Sequence, residues 1–349
     1  VTGSVPPSRY ASHLASGLAA YEERTGTRPD PSKLDVTRPQ VRALYDQFRA
    51  RAFPTRLGAT EGEWTALQLG LKAVLRERLT SARIETLAQR CAAQGLSLHT
   101  VPIAPATGGP LDGLVTAPLN DAHVYVGRDP DTLREAAELD ALMVPHQSFD
   151  PDGTYEVSRA HNRRLGELLG YPPCCVEWFG QWHERLASNW APIAASAAAT
   201  GQFEPLLNNV VLGAFHCIGW FPCRFDCPAS LHIAQEVERV LRRTRGDAVG
   251  SAFDALRTPR IYLDERRQLV IDGQPDGERI RYRRVYTPYA LDRRASTAAY
   301  EWVFYADVMP LLARGDSLWR EDDALVVAWR DRELGRVEAP NAIWLPFGG

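Results

Sequence analysis

Lysine is nearly missing from this sequence: of its 40 basic residues, only Lys33 and Lys72 are lysines. Schiff-base chemistry and the lysine of a phosphate-binding P-loop therefore have almost no candidates. No apolar run approaches the ~20 residues of a membrane-spanning helix. A large positive field is missing too, since the formal net charge is -3. Bulk electrostatic capture of nucleic acid or of an anionic membrane is not expected from such a balance. Nothing near Val1 combines a basic start with an apolar stretch and a small-residue cleavage site, so a cytoplasmic protein is expected. The GxGxxG strand-to-helix unit, HExxH and the GxSxG elbow do not occur. Dinucleotide, metalloprotease and serine-hydrolase readings thus lack their local signatures.

With 45% hydrophobic residues over 349 positions, the chain can bury a full core. The pattern predicts an α+β protein in three regions: a mainly helical part over 1–120, a cysteine-bearing helical part over 121–250 and a small antiparallel β layer over 251–349. Apolar spacing of three and four marks a helical face at Val41, Leu44, Tyr45 and Phe48, and again at Trp64, Leu67, Leu71, Val74 and Leu75 after the cap signal of Thr60. Gly95 closes a helix that carries Cys91, and strands are expected over 96–103 and 123–127. A helix through Val157, Leu165, Leu168 and Leu169 stops at Gly170. Two further helices begin at prolines. Pro173 starts one with a face of Val176, Phe179, Trp182, His183 and Leu186, and Pro228 starts one with a face of Leu231, Ala234, Val237, Val240 and Leu241. After Arg260 the period switches to alternation, with a helix around 300–312 and a hairpin over 324–337 bending near Gly335.

Cysteine is where the sequence becomes specific. Cys91 stands alone, whereas Cys174, Cys175, Cys217, Cys223 and Cys227 are clustered and none follows. In a chain read as cytoplasmic, such clustering points to metal or redox chemistry before a disulfide framework. Two clusters sit at proline-initiated helix starts, where unpaired N–H groups favour thiolate, the form that binds metal. Cys223 and Cys227 from one loop can combine with Cys174 or Cys175 from the other, and Cys217 can supply a fourth ligand. An iron–sulfur cluster, 4Fe-4S in particular, spreads its ligands over several irons and accommodates these spacings. Zinc is the competitor, although zinc knuckles usually bring paired C-x2-C elements and adjacent cysteines seldom both reach one ion. The spacing matches neither the three-cysteine motif of radical S-adenosylmethionine enzymes nor the tandem ferredoxin run.

The string Gly170-Tyr171-Pro172-Pro173-Cys174-Cys175 followed by Phe179, and later Pro222-Cys223 with Cys227 and Ser230, resembles a domain family of unknown function, numbered 483. The resemblance covers roughly residues 120–245 and brings no established activity. It implies that Cys174, Cys175, Cys223, Cys227 and Ser230 are the residues that matter. Because Cys217 falls outside that pattern, the resemblance also implies a three-cysteine cluster with one open iron.

An open iron suits Lewis-acid or sulfur-transfer chemistry on a small-molecule substrate, so an enzyme, a lyase or a sulfur transferase, is expected, with a reductase or sulfur donor as partner. The opposing expectation is a non-catalytic interaction protein in which zinc or a cluster braces two helix starts and the β layer recruits a partner. Around the cysteines, His216, Glu177, Asp226 and Ser230 are candidate acids, bases or hydrogen-bonding groups. Arg159, His161, Arg163 and Asn208, with Arg164 and Asn209 beside them, are candidates for holding an anionic substrate. Their plainer readings are a solvated helix face, packed side chains and favourable first-turn carboxylates. Arg279, Arg281, Arg283 and Arg284 interleaved with Tyr282 and Tyr286 fit a half-exposed strand more simply than a nucleic-acid surface.

Overall fold

The computed structural model describes residues 60–102, 121–142, 159–181, 190–209, 215–263, 268–286, 308 and 311–348. The expected helix over 41–48 and most of that over 300–312 lie outside them. The described residues fall into two compact units, one ending at Leu256 and the other beginning at Arg257. The secondary structure is an α+β mix with antiparallel sheets, as the change of period implied.

The first unit opens with α1 (Glu61–Gln68), β1 (Val74–Thr80), α2 (Ser81–Ala93), β2 (Ser97–Pro102) and β3 (Asp121–Gly127). The three strands form an antiparallel sheet with β3 in the middle, so the sheet joins residues on both sides of position 120. Val74 and Leu75 do not continue a helix. The helix ends at Gln68, Gly70 takes a left-handed φ of 72°, and the chain turns into β1. These two neighbours are both buried because each face of the strand is covered. Leu75 packs with Trp64, Leu67 and Cys91, whereas Val74 packs with Leu133, Ala136 and Leu165. A strand buried on both faces shows no alternation, and its apolar pair fits a helical template equally well.

Then follow α3 (Pro130–Ala141), α4 (Arg159–Leu168), α5 (Pro173–Gly180), α6 (Trp190–Ala199), α7 (Pro228–Arg245) and α8 (Gly250–Leu256). The sequence reading missed α3, although Asp129 caps it by accepting the N–H groups of Asp131 and Thr132 and Pro130 starts it. Between α4 and α5 the chain reverses at Gly170, whose φ is 72°. Gly166 lets the two helices close, because a Cβ there would lie 2.7 Å from a Val176 methyl. The described part of α5 ends at Gly180, short of Trp182, His183 and Leu186, which lie outside the described residues. In α7 the buried face is Ser230, Ala234, Val237 and Leu241, rotated slightly from the apolar stripe so that a serine faces inward.

The second unit is a seven-stranded antiparallel sheet in the order β10-β4-β5-β6-β7-β8-β9. Its strands are β4 (Arg260–Tyr262), β5 (Gln268–Asp276), β6 (Arg279–Tyr286), β7 (Ser317–Glu321), β8 (Ala324–Trp329), β9 (Arg332–Glu338) and β10 (Ile343–Leu345). The β8–β9 hairpin bends at Arg330 and Asp331, not at Gly335. Both residues take positive φ, 50° and 64°, and the Asp316 carboxylate accepts the Arg330 N–H at 3.1 Å. Gly335 sits instead within β9, opposite Val327 beside a bulge. Three arginines of β6 are paired within this unit, Arg279 with Asp331, Arg281 with Asp276 and Arg283 with Asp272.

Candidate metal centre

The centre is built where the starts of α5 and α7 meet a loop. Pro173 occupies the first turn of α5, followed by Cys174 and Cys175, while Cys227 is the N-cap of α7 ahead of Pro228. Cα–Cβ bonds in a helix tilt toward its N-terminus, so thiols in the first turn lean past the helix end. This is why adjacent Cys174 and Cys175 reach the same point, with sulfurs 4.0 Å apart, contrary to the expectation that such neighbours diverge. Cys227 Sγ lies 3.7 Å from that of Cys174 and 3.8 Å from that of Cys175. Cys223 completes the group, and all four sulfurs lie within 4.8 Å of one another. Four cysteines so close can hold a metal ion.

The loop from Phe215 to Cys227 has no helix or strand of its own and is held by side chains. Ser196 of α6 donates to the Pro222 carbonyl at 2.8 Å, and Thr200 Oγ1 accepts the Phe225 N–H at 2.5 Å. Asp226 accepts the N–H groups of Gly201 and Gln202 at 3.0 and 3.3 Å and pairs with Arg224 at 2.6 Å. Asn209 donates to the Trp220 carbonyl. Phe221 stacks on Phe179 of α5, and Tyr171 packs against Trp220. On the other side Gly219 receives the Glu63 carboxylate, which is paired with Lys72 in the interior.

A hydrogen-bond relay reaches the sulfurs. Trp220 Nε1–H donates to Ser230 Oγ at 3.1 Å, and that oxygen lies 3.3 Å from Cys175 Sγ. With the indole N–H on the oxygen, the hydroxyl proton is the one left to point at sulfur. The Cys223 N–H also donates to Cys175 Sγ, at 3.4 Å. The four thiols ionise unequally. Cys227 is pulled down to about 4, chiefly by the Cys175 thiol donating to it, with the Ser230 N–H adding to this against the effect of burial. Cys175 is pushed far above the thiol range by giving that proton and by burial. Cys223 is pushed up to about 12, by burial and then by the Cys227 charge. One thiolate forms readily here, and each further one works against it unless a cation enters.

The other candidates are scattered. Cys217 is fully buried outside the four-sulfur group, and burial, with Glu238 and Glu63 nearby, raises its thiol well above the usual range. Glu177 is exposed and pairs with Arg163 at 2.5 Å, and Arg164 pairs with Glu135. His161 is exposed, while Asn208 is buried and donates to the Leu256 carbonyl at 2.7 Å. Asp226 serves the loop as described, and the His216 carbonyl lies against Gly62 of α1. Arg159 opens α4, and its side chain lies outside the described set. Sequence reasoning passed over Trp220 and the Glu63–Lys72 pair. The scarcity of lysine was a signal that one placed amid apolar residues was worth locating.

No protein-family model matches this chain, and no curated protein or solved structure is significantly similar to it.

Proposed function

We propose that this protein binds a single thiophilic metal ion, zinc, through Cys174, Cys175, Cys223 and Cys227, and that the ion braces the starts of α5 and α7. The observation that carries this reading is the spacing of the sulfurs. Zinc–sulfur bonds of about 2.3 Å in a tetrahedron give a sulfur–sulfur edge of about 3.8 Å. Three sulfur–sulfur distances here are 3.7, 3.8 and 4.0 Å. A 4Fe-4S cluster puts each thiolate on a different iron, with bridging sulfides between them, and so needs its thiolates further apart than one ion does. Four thiolate ligands also make a closed site of the structural kind, without the open position that Lewis-acid or sulfur-transfer chemistry would use.

Metal analysis of the protein purified without oxygen tests the proposal. The expected result is one zinc per chain in colourless protein, with a cobalt-substituted form showing the visible bands of tetrahedral thiolate coordination. Iron with acid-labile sulfide and a brown colour would replace this reading with the iron–sulfur one. Cys227→Ser is expected to lose the metal, and Cys91→Ser to keep it.

A further inference from the structure

The four ligands differ in what surrounds them. Cys175 and Cys227 are buried and Cys223 is partly covered, whereas Cys174 is exposed. Cys175 Sγ also has Ser230 Oγ and the Cys223 N–H against it. Such donors to a metal-bound sulfur draw off its electron density and leave it the less nucleophilic ligand. Cys174 is thus the sulfur that a solute meets first, and Cys227, a residue 53 positions away, holds its sulfur 3.7 Å from it, nearer than the 4.0 Å of the adjacent Cys175.

We propose that Cys174 is an oxidation site for hydroperoxides and that its oxidation closes a disulfide with Cys227 and expels the metal ion. This rests on the metal-binding reading above. In the first step the Cys174 thiolate attacks the terminal oxygen of the hydroperoxide. A sulfur–oxygen bond forms, the oxygen–oxygen bond breaks, and an alkoxide or hydroxide leaves with the electron pair. Cys174 is then a sulfenic acid. In the second step the Cys227 thiolate attacks Cys174 Sγ, the sulfur–sulfur bond forms and hydroxide leaves. Two thiolates have lost two electrons in total, the peroxide has gained them, and the leaving oxyanions take protons from water. Two of the four ligands are gone, and the ion dissociates. Cys175 is the poorer partner for Cys174, because a bond between adjacent cysteines closes a small ring through their own peptide link, which resists departure from planarity. A Cys174–Cys227 bond instead replaces the metal with a covalent tie between the same two helix starts.

The experiment treats metal-loaded full-length protein with hydrogen peroxide, follows released zinc with a chromogenic chelator and maps disulfides by mass spectrometry. The expected result is one zinc released per peroxide consumed, a Cys174–Cys227 disulfide, and rebinding of zinc after reduction. Cys174→Ser is expected to slow peroxide consumption at least tenfold, and Cys223→Ser is expected still to form the Cys174–Cys227 bond. First oxidation at Cys175, Cys223 or Cys91, or a Cys174–Cys223 disulfide, would overturn the proposal. Protein purified without any metal would sink the metal-binding reading and the release of the ion with it, whereas disulfide mapping on that same sample still decides whether peroxide closes the Cys174–Cys227 bond.

Discussion

In the sheet unit, Ile271, Leu318, Leu325 and Val327 are completely buried, and each lies on a strand whose backbone is paired with its neighbours. In the unit that ends at Leu256, two of the four sulfurs, those of Cys223 and Cys227, lie on Phe215–Cys227, which has no ladder of its own and depends on side-chain bonds from Ser196, Thr200, Asp226 and Asn209. A sheet with a contiguous core supplies hydrophobic burial and backbone pairing together. The loop that brings Cys223 and Cys227 to the two sulfurs at the start of α5 does so without regular structure, and its order depends on specific polar contacts and on whatever the sulfurs bind. The two units should therefore fail for different reasons.

Removing the metal is the harshest way to separate them. Chelation, or Cys227→Ser, is expected to destabilise the cysteine-bearing unit by on the order of several kcal/mol, since structural zinc contributes directly to folding. Hydrogen exchange would then show lost protection over 173–181 and 215–245, with 268–286 and 317–338 unchanged. Equal loss in both units would mean that the sheet also depends on the ion.

Glu63→Ala comes next, because it leaves the Lys72 ammonium buried without its carboxylate. Breaking such a pair costs about 3–5 kcal/mol. Urea unfolding should show this loss, and a joint Glu63→Leu, Lys72→Met replacement should recover most of it. On the opposite side of the comparison, Leu318→Ala opens a cavity in the sheet core and is expected to cost about 2–5 kcal/mol. Bound zinc should remain at one per chain in that variant, and a loss of metal would tie the sheet core to the centre.

Ser230→Ala is a finer probe. It removes the hydroxyl between Trp220 Nε1 and Cys175 Sγ and leaves the buried indole N–H unpaired, a cost of about 1–3 kcal/mol. Competition with a chelator of known affinity should show zinc binding weakened about 10–100-fold, as outer-shell losses do. Arg283→Ala should have the smallest effect, because the Arg283 side chain is 84% exposed and ion pairs made by so exposed a group contribute little. Its melting temperature should match that of the parent.

The candidate site was legible as a composition of motifs more than as a geometry. Two proline-started helices with cysteines at their first turns were readable, because proline at the first helical position and the switch to a three/four period are local properties. Local sequence did not show that Cys174 and Cys175 both lean past the same helix end, or that Cys217 turns away into the core beside Glu63. These depend on where α1 and α6 hold the loop. The β8–β9 bend was misplaced for a related reason: a glycine is the usual sign of positive φ, but here Asp316, outside the hairpin, holds Arg330 in that conformation.

By itself the sequence determined the quantities that need only nearest neighbours: the α+β composition, the start of α5 at Pro173 and of α7 at Pro228, the ends at Gly95 and Gly170, and the clustering of the cysteines. Tertiary structure decided which faces were covered and which sulfurs met. Val74 and Leu75 form a strand because helices cover both sides of the sheet, and Ser230 faces inward because Trp220 and Cys175 are there to receive it. Burial on both faces erases periodicity, and convergence of residues some fifty positions apart is set by packing, so neither leaves a mark that a short window of sequence can carry.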